Sequence, residues 1–114
     1  MAANEKKYQS FEEFWPFYLS QHRSFICRNL HVVGTSLGVV FLIYVLWTAQ
    51  YRLLILAPVI GYFFAWIGHF LFEKNRPATF IYPKWSFMGD LRMIKLFFSG
   101  KLKEELGKNH IQSF

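Results

Sequence analysis

Two charge-free apolar runs constrain this chain more than any other feature. Residues 29–51, NLHVVGTSLGVVFLIYVLWTAQY, contain no Asp, Glu, Lys or Arg, and neither do residues 53–72, LLILAPVIGYFFAWIGHFLF. Each is about the ~20 residues that a helix needs to cross the hydrocarbon core of a bilayer. Only Arg52 separates them, so a tight turn around Thr48–Arg52 is expected to join two antiparallel spans, about 30–50 and 53–72. Trp47 and Tyr51 then fall near one interface, where amphipathic rings sit well. Pro58 is expected to kink the second span, and Gly34, Gly38 and Gly61 to let the helices approach closely.

Composition points the same way. Of 114 residues, 54% are hydrophobic and 21% aromatic, and a single small domain has little interior in which to hide so many rings. Residues 1–114 are therefore read as one membrane domain. The lone Cys27 excludes an internal disulfide and a cysteine-based zinc site, and is expected to be buried as a small apolar residue. The net charge of +6 does not indicate nucleic acid, because the basic residues lie mainly outside the apolar runs and interleave with acids, as in KLKEELGK. Acidic lipid headgroups suit that pattern better, and no nucleic-acid partner is expected.

Lys6, Lys7, Arg23 and Arg28 precede the spans, eight basic residues from Lys74 to Lys108 follow them, and the turn carries one. The positive-inside rule then places both termini in the cytoplasm, in a bacterial inner membrane or the endoplasmic reticulum. The first twenty residues lack an apolar stretch followed by a small-residue cleavage site, so the spans themselves are expected to direct insertion.

Amphipathic segments flank the spans. In SFEEFWPFYLSQH, residues Phe11, Phe14, Trp15, Tyr18, Leu19 and His22 recur at the spacing of one helical face, and Ser10 with Glu13 has capping-box spacing. An interfacial helix over about 10–23 is expected, with a kink or a later start caused by Pro16. A second interfacial helix is expected over about 84–106, interrupted near Gly89 and ended by Gly100, with GKNHIQSF frayed beyond it. The fold class is thus an all-α membrane protein, a two-span helical hairpin between amphipathic interfacial helices. With only two spans, self-association into a homo-oligomer is a further expectation.

The topology sorts the four histidines. His31 lies three residues after Arg28, just inside the start of the first span, and His69 four residues before Glu73, just inside the end of the second. In an antiparallel pair these positions share a depth. His22 lies nine residues before His31, on the opposite face of any straight helix. A bend in RSFICRN would bring the two together. Glu73 follows His69 by one helical turn. His22, His31, His69 and Glu73 therefore form a candidate constellation at one interface, suited to iron(II), zinc or manganese. His110, in the tail, is excluded.

The segment GHFLFEKNRPA resembles the GH-x-x-FEK-x-x-PA motif of the Mpo-like family of small membrane proteins, matching at Gly68, His69, Phe72, Glu73, Lys74, Pro77 and Ala78. His22 and His31 in QHRSFICRNLHVVG resemble that family's two histidines nine residues apart. The resemblance covers roughly residues 17–80. It implies an Fe(2+)-dependent dioxygenase that shortens a 2-hydroxy fatty acid or 2-hydroxyacyl lipid by one carbon, using molecular oxygen. His22, His31 and His69 would then be metal ligands and Glu73 a catalytic ligand or a partner orienting a histidine. Arg76, Arg28 and Lys74 are candidates to hold the substrate carboxylate. Two rival expectations are a non-catalytic membrane protein that binds acidic lipids or a partner, and a haem held between His31 and His69.

Overall fold

A computed structural model describes residues 7–113. Among these residues the structure is helical throughout, without strands. Helix α1 spans Phe11–Ser20, α2 Phe25–Trp47, α3 Leu56–Ile67, α4 Pro83–Phe98 and α5 Leu102–Lys108. A 3₁₀ turn, Tyr51–Leu53, precedes α3, and a π-helical turn, Gly68–Glu73, continues it.

The two apolar runs become the two long helical segments, Phe25–Trp47 and Tyr51–Glu73, each of 23 residues with mean hydropathy of 2.0 and 1.8. Both are long and apolar enough to cross a membrane. Only 28% and 22% of their apolar windows are buried, whereas the core helix of a soluble protein would be mostly covered. The turn between them closes on Ala49, whose φ of 55° is left-handed, and the Gln50 N–H donates back to the Val45 carbonyl at 3.0 Å. That reversal satisfies carbonyls at the end of α2.

Helices α2 and α3 run antiparallel because small residues let their backbones meet. A Cβ on Gly34 would lie 2.6 Å from Phe64 Cβ, and one on Gly38 would lie 2.9 Å from the Ala57 carbonyl oxygen. Both distances are shorter than atoms tolerate. Gly61 differs: a Cβ there would meet only the Gly34 carbonyl, at 3.9 Å. Pro58 sits in the first turn of α3, where a missing N–H costs little.

Helix α1 starts at Phe11, capped by Ser10 Oγ, which accepts from the Glu13 N–H at 3.2 Å. Pro16 neither delays the start nor divides the helix. The apolar stripe expected to lie at an interface is taken up by protein instead: Phe14, Trp15, Tyr18 and Leu19 are buried in a cluster with Tyr82, Met93, Leu102 and Leu106. The Trp15 indole donates to Glu105 at 2.7 Å, tying α1 to α5.

The C-terminal expectations need two corrections. Helix α4 runs unbroken through Gly89, because that position is where the helix crosses the Tyr18 ring; a Cβ there would lie 2.7 Å from it. The helix ends, as expected, at Gly100, which takes a left-handed φ of 76°, and α5 follows as a separate helix. Residues 107–113 are not frayed either. Arg23 Nε donates to the Gln112 carbonyl at 2.9 Å, and the buried Arg28 guanidinium donates to Ser113 Oγ at 2.6 Å.

Candidate metal centre

The loop between α1 and α2 turns the first histidine back over the second. Helix α1 ends at Ser20, and His22 stands just beyond it, its N–H donating to the Leu19 carbonyl at 3.0 Å. Ser24 then caps α2 by accepting from the Cys27 N–H at 3.2 Å. The bend therefore falls ahead of Phe25, and the nine-residue separation that would oppose His22 and His31 on one helix no longer applies.

Glycine brings the third imidazole close. A Cβ on Gly68 would lie 2.8 Å from Cys27 Sγ and 3.1 Å from Cys27 Cα. Only glycine lets the end of α3 press against the start of α2 at that level. His69 follows immediately, and His31 lies one turn beyond Cys27. The three rings meet edge to face, with centroids 4.4 Å apart for His22 and His31, 4.6 Å for His22 and His69, and 4.9 Å for His31 and His69. All three are buried, and one ring nitrogen from each lies within 4.8 Å of the others.

Hydrogen bonds assign the tautomers. His22 Nδ1 lies 2.6 Å from the Tyr18 carbonyl and His31 Nδ1 lies 3.0 Å from the Cys27 carbonyl. A carbonyl only accepts, so each Nδ1 carries the proton and each Nε2 is a bare lone pair in the neutral ring. His69 Nδ1 lies 2.7 Å from Asn75 Oδ1. The Asn75 amide is oriented by its Nδ2, which donates to the Gln21 carbonyl at 3.2 Å and to Gln21 Oε1 at 3.0 Å. His69 Nδ1 is therefore also a donor. Two of the bare nitrogens, His22 Nε2 and His31 Nε2, face each other across 3.1 Å.

Two acceptors facing each other in a buried site repel, and a cation between them relieves that repulsion. Ligand nitrogens ~2.1 Å from a metal and ~90–109° apart would be separated by ~3.0–3.4 Å, which brackets the observed spacing. The outer limit of 4.8 Å exceeds the ~4.2 Å of a trans pair, so the third imidazole has a fraction of an ångström to close. A proton is a poor substitute, because burial, with His31 and His69 alongside, holds His22 well below the usual histidine range. Donation from the second ring nitrogen to a carbonyl or amide is the usual way that metal-binding imidazoles are oriented. The three histidines can hold a metal ion.

Other sequence candidates fall elsewhere. Glu73 Oε2 accepts from the Ser24 N–H at the start of α2, and the carboxylate does not join the cluster. The expectation that it sits one turn above His69 assumed α-helical spacing. Glu73 closes a π-helical turn instead, and its carboxylate is held at the start of α2. Asn75 takes the orienting place instead. Lys74 adopts a left-handed φ of 58° and the Asn75 N–H closes onto the His69 carbonyl at 3.0 Å, which folds the amide side chain back over the ring. Arg28 is engaged within the protein: its Nη1 donates to the His22 and Arg23 carbonyls, each at 2.8 Å, besides the bond to Ser113. Lys74 and Arg76 are exposed, with the Arg76 guanidinium over the Phe80 ring at 5.4 Å.

The walls of the site were not legible as such. Tyr18 stacks on His22 at 4.0 Å between centroids and donates its hydroxyl to Asp90. Burial pushes the Asp90 carboxyl up to about 7. Trp66 and Ser86 line the same cavity, and both Trp66 Nε1 and Ser86 Oγ are buried without a hydrogen-bond partner. Such orphans are rare in native structures and mark a place for a polar ligand. The cavity volume of about 10 Å³ accommodates roughly one water-sized particle. In this structure the ring of His22 occupies the space beside His31 and His69, leaving no room for a haem between them.

Fold and site together define an all-helical protein, with two helices able to cross a membrane and a buried three-imidazole nest where they meet. Residues 8–102 match the family described as 2-hydroxy-palmitic acid dioxygenase Mpo1-like. The chain belongs to that family. No curated protein and no solved structure matches it.

Proposed function

We propose that the chain is a membrane-embedded, iron(II)-dependent dioxygenase that shortens a 2-hydroxy fatty acid or 2-hydroxyacyl lipid by one carbon. The observation that carries this reading is the convergence of His22, His31 and His69, each with one ring N–H held by a protein acceptor. The family's description supports dioxygenase chemistry, and an imidazole set suits iron among other metals. Helices α2 and α3 form a membrane hairpin with both termini cytoplasmic, in line with the distribution of basic residues. The site then lies at the cytoplasmic interface, where an amphiphile keeps its head while its tail stays in hydrocarbon.

Bound iron would supply a Lewis acid for the substrate's hydroxyl and carboxyl oxygens and a partner for oxygen chemistry. The chain supplies the remaining functions. His22, His31 and His69 present neutral, fixed nitrogens, and the Tyr18 and Cys27 carbonyls and Asn75 hold them in that tautomer. Ser86 Oγ and Trp66 Nε1–H offer hydrogen bonds to oxygens of the substrate head. Asp90 offers a proton at the same wall. Lys74 and Arg76, exposed at the cytoplasmic end, attract the carboxylate, while Glu73 and Arg28 hold the loop that carries His22.

Metal analysis of the purified protein, with His22, His31 and His69 each changed to Ala, tests the reading. Stoichiometric iron in the parent and its loss in each variant are expected, together with release of the one-carbon-shorter product from 2-hydroxypalmitate. Full iron occupancy in all three variants would overturn the ligand set. A protein that holds no metal and is indifferent to these changes would be the non-catalytic lipid-binding protein instead.

A further inference from the structure

Beside the histidine cavity, a groove of about 290 Å³ runs between α2 and α3. The two share Tyr62, Ala65 and Asp90 in their linings, so the groove adjoins the site across a common wall. Its polar groups are gathered at that end. Thr35 stands one turn beyond His31, and Asp90 is the shared wall. From there the lining is apolar as far as Leu42 and Leu54, next to the interhelical turn.

The hollow exists because of the same small residues that bring the helices together. Gly38, Ala57 and Gly61 form its floor, and at Gly61 there is still space for a Cβ. Helix packing has not consumed that space. Its length also has a natural measure. His31 and Leu42 are separated along α2 by ~16 Å at ~1.5 Å per residue. One leaflet of a ~30 Å hydrocarbon core is ~15 Å deep. A single extended alkyl chain with its head at the histidines would therefore end near Leu42 and Leu54.

We infer that this groove holds the alkyl chain of the 2-hydroxy acid, and that Leu42 and Leu54 at its far end set the longest chain accepted. This rests on the proposed reaction, since it takes the head to be at the metal site. The wall shared with that site, the polar-to-apolar order of the lining and the leaflet length together favour one alkyl chain over a second copy of this protein. A helix from another copy would have no reason to meet polar groups at one end only.

The test uses the full chain in phosphatidylcholine nanodiscs. The probe is 2-hydroxypalmitate carrying a diazirine on its terminal carbon, with photolysis followed by peptide mapping. Adducts are expected at the Leu42 and Leu54 end. Adducts spread over outward-facing positions such as Val40 and Ile43, as a bulk lipid chain would give, overturn the inference. In parallel, Leu42→Trp and Leu54→Trp fill the end of the groove from partly exposed positions (36% and 38%), where the fold has room for the change. Activity on 2-hydroxypalmitate relative to 2-hydroxydecanoate should fall about tenfold or more, the equivalent of two methylenes denied burial. Unchanged iron content with an unchanged chain-length profile refutes the groove and leaves the reaction standing. A parent that holds no iron and shortens neither acid refutes both. If the variants alter only the oligomeric state, measured by native mass spectrometry, the groove belongs to a second copy and the inference fails.

Discussion

Asn75 and Glu73 stand two residues apart, yet the structure gives them separate tasks that a pair of substitutions can distinguish. Asn75→Ala removes the acceptor 2.7 Å from His69 Nδ1. The ring then loses its fixed tautomer, and its nitrogen becomes a poorer donor to a cation. Loss of such an outer partner typically weakens metal affinity by about 10–100-fold, or ~1.4–2.7 kcal/mol. Glu73→Ala removes instead the acceptor for the Ser24 N–H, leaving an unpaired donor at the start of α2. That should cost about 1–2 kcal/mol of stability, as loss of a helix cap does, with metal affinity little changed. Metal affinity is read by chelator competition in the purified protein, and stability by thermal unfolding followed by circular dichroism. If Glu73→Ala weakens metal binding as much as Asn75→Ala does, the carboxylate acts at the metal and the division of labour argued here is wrong.

Two further outcomes follow from the walls of the site. Burial raises the Asp90 carboxyl from an ordinary 3.8 to about 7, so the folded state holds its proton more tightly than the unfolded state; the stability this gives is complete below about pH 4 and is lost as pH rises towards 7. The span is at most ~4 kcal/mol. Asp90→Asn should flatten that stretch of a urea-unfolding profile measured from pH 4 to 7, on which His22, held below its usual range, imposes the opposite slope as pH falls through 6.5. Gly68→Ala would force a Cβ to 2.8 Å from Cys27 Sγ and push His69 away from His31. Its metal affinity should fall by tenfold or more, of the order of the ~1–3 kcal/mol of an overpacked contact, with partial recovery in the Gly68→Ala, Cys27→Ala double variant.

Much of this arrangement can be traced to features visible in the primary structure, but not all of it by the same route. The shared depth of His31 and His69 was legible because charge-free runs mark where each span ends, and two antiparallel segments of known rise must bring matching ends together. His22 was legible only as a possibility, since periodicity can exclude a straight helix but cannot say where it bends. The stripe on α1 was legible as a stripe; what it covers, the flank of α4 and α5 around Tyr82 and Met93, was not, because amphipathicity does not name its partner. Asn75 was hidden for a more specific reason. Its place depends on a π-helical turn and a left-handed lysine at position 74, two departures from regular helix that no residue pattern signals here. Glu73 closes the same turn, and its carboxylate bonds the Ser24 N–H outside the imidazole cluster. A spacing rule holds only while the helix keeps its pitch, and in this chain the pitch changes within the very segment that delivers the third imidazole.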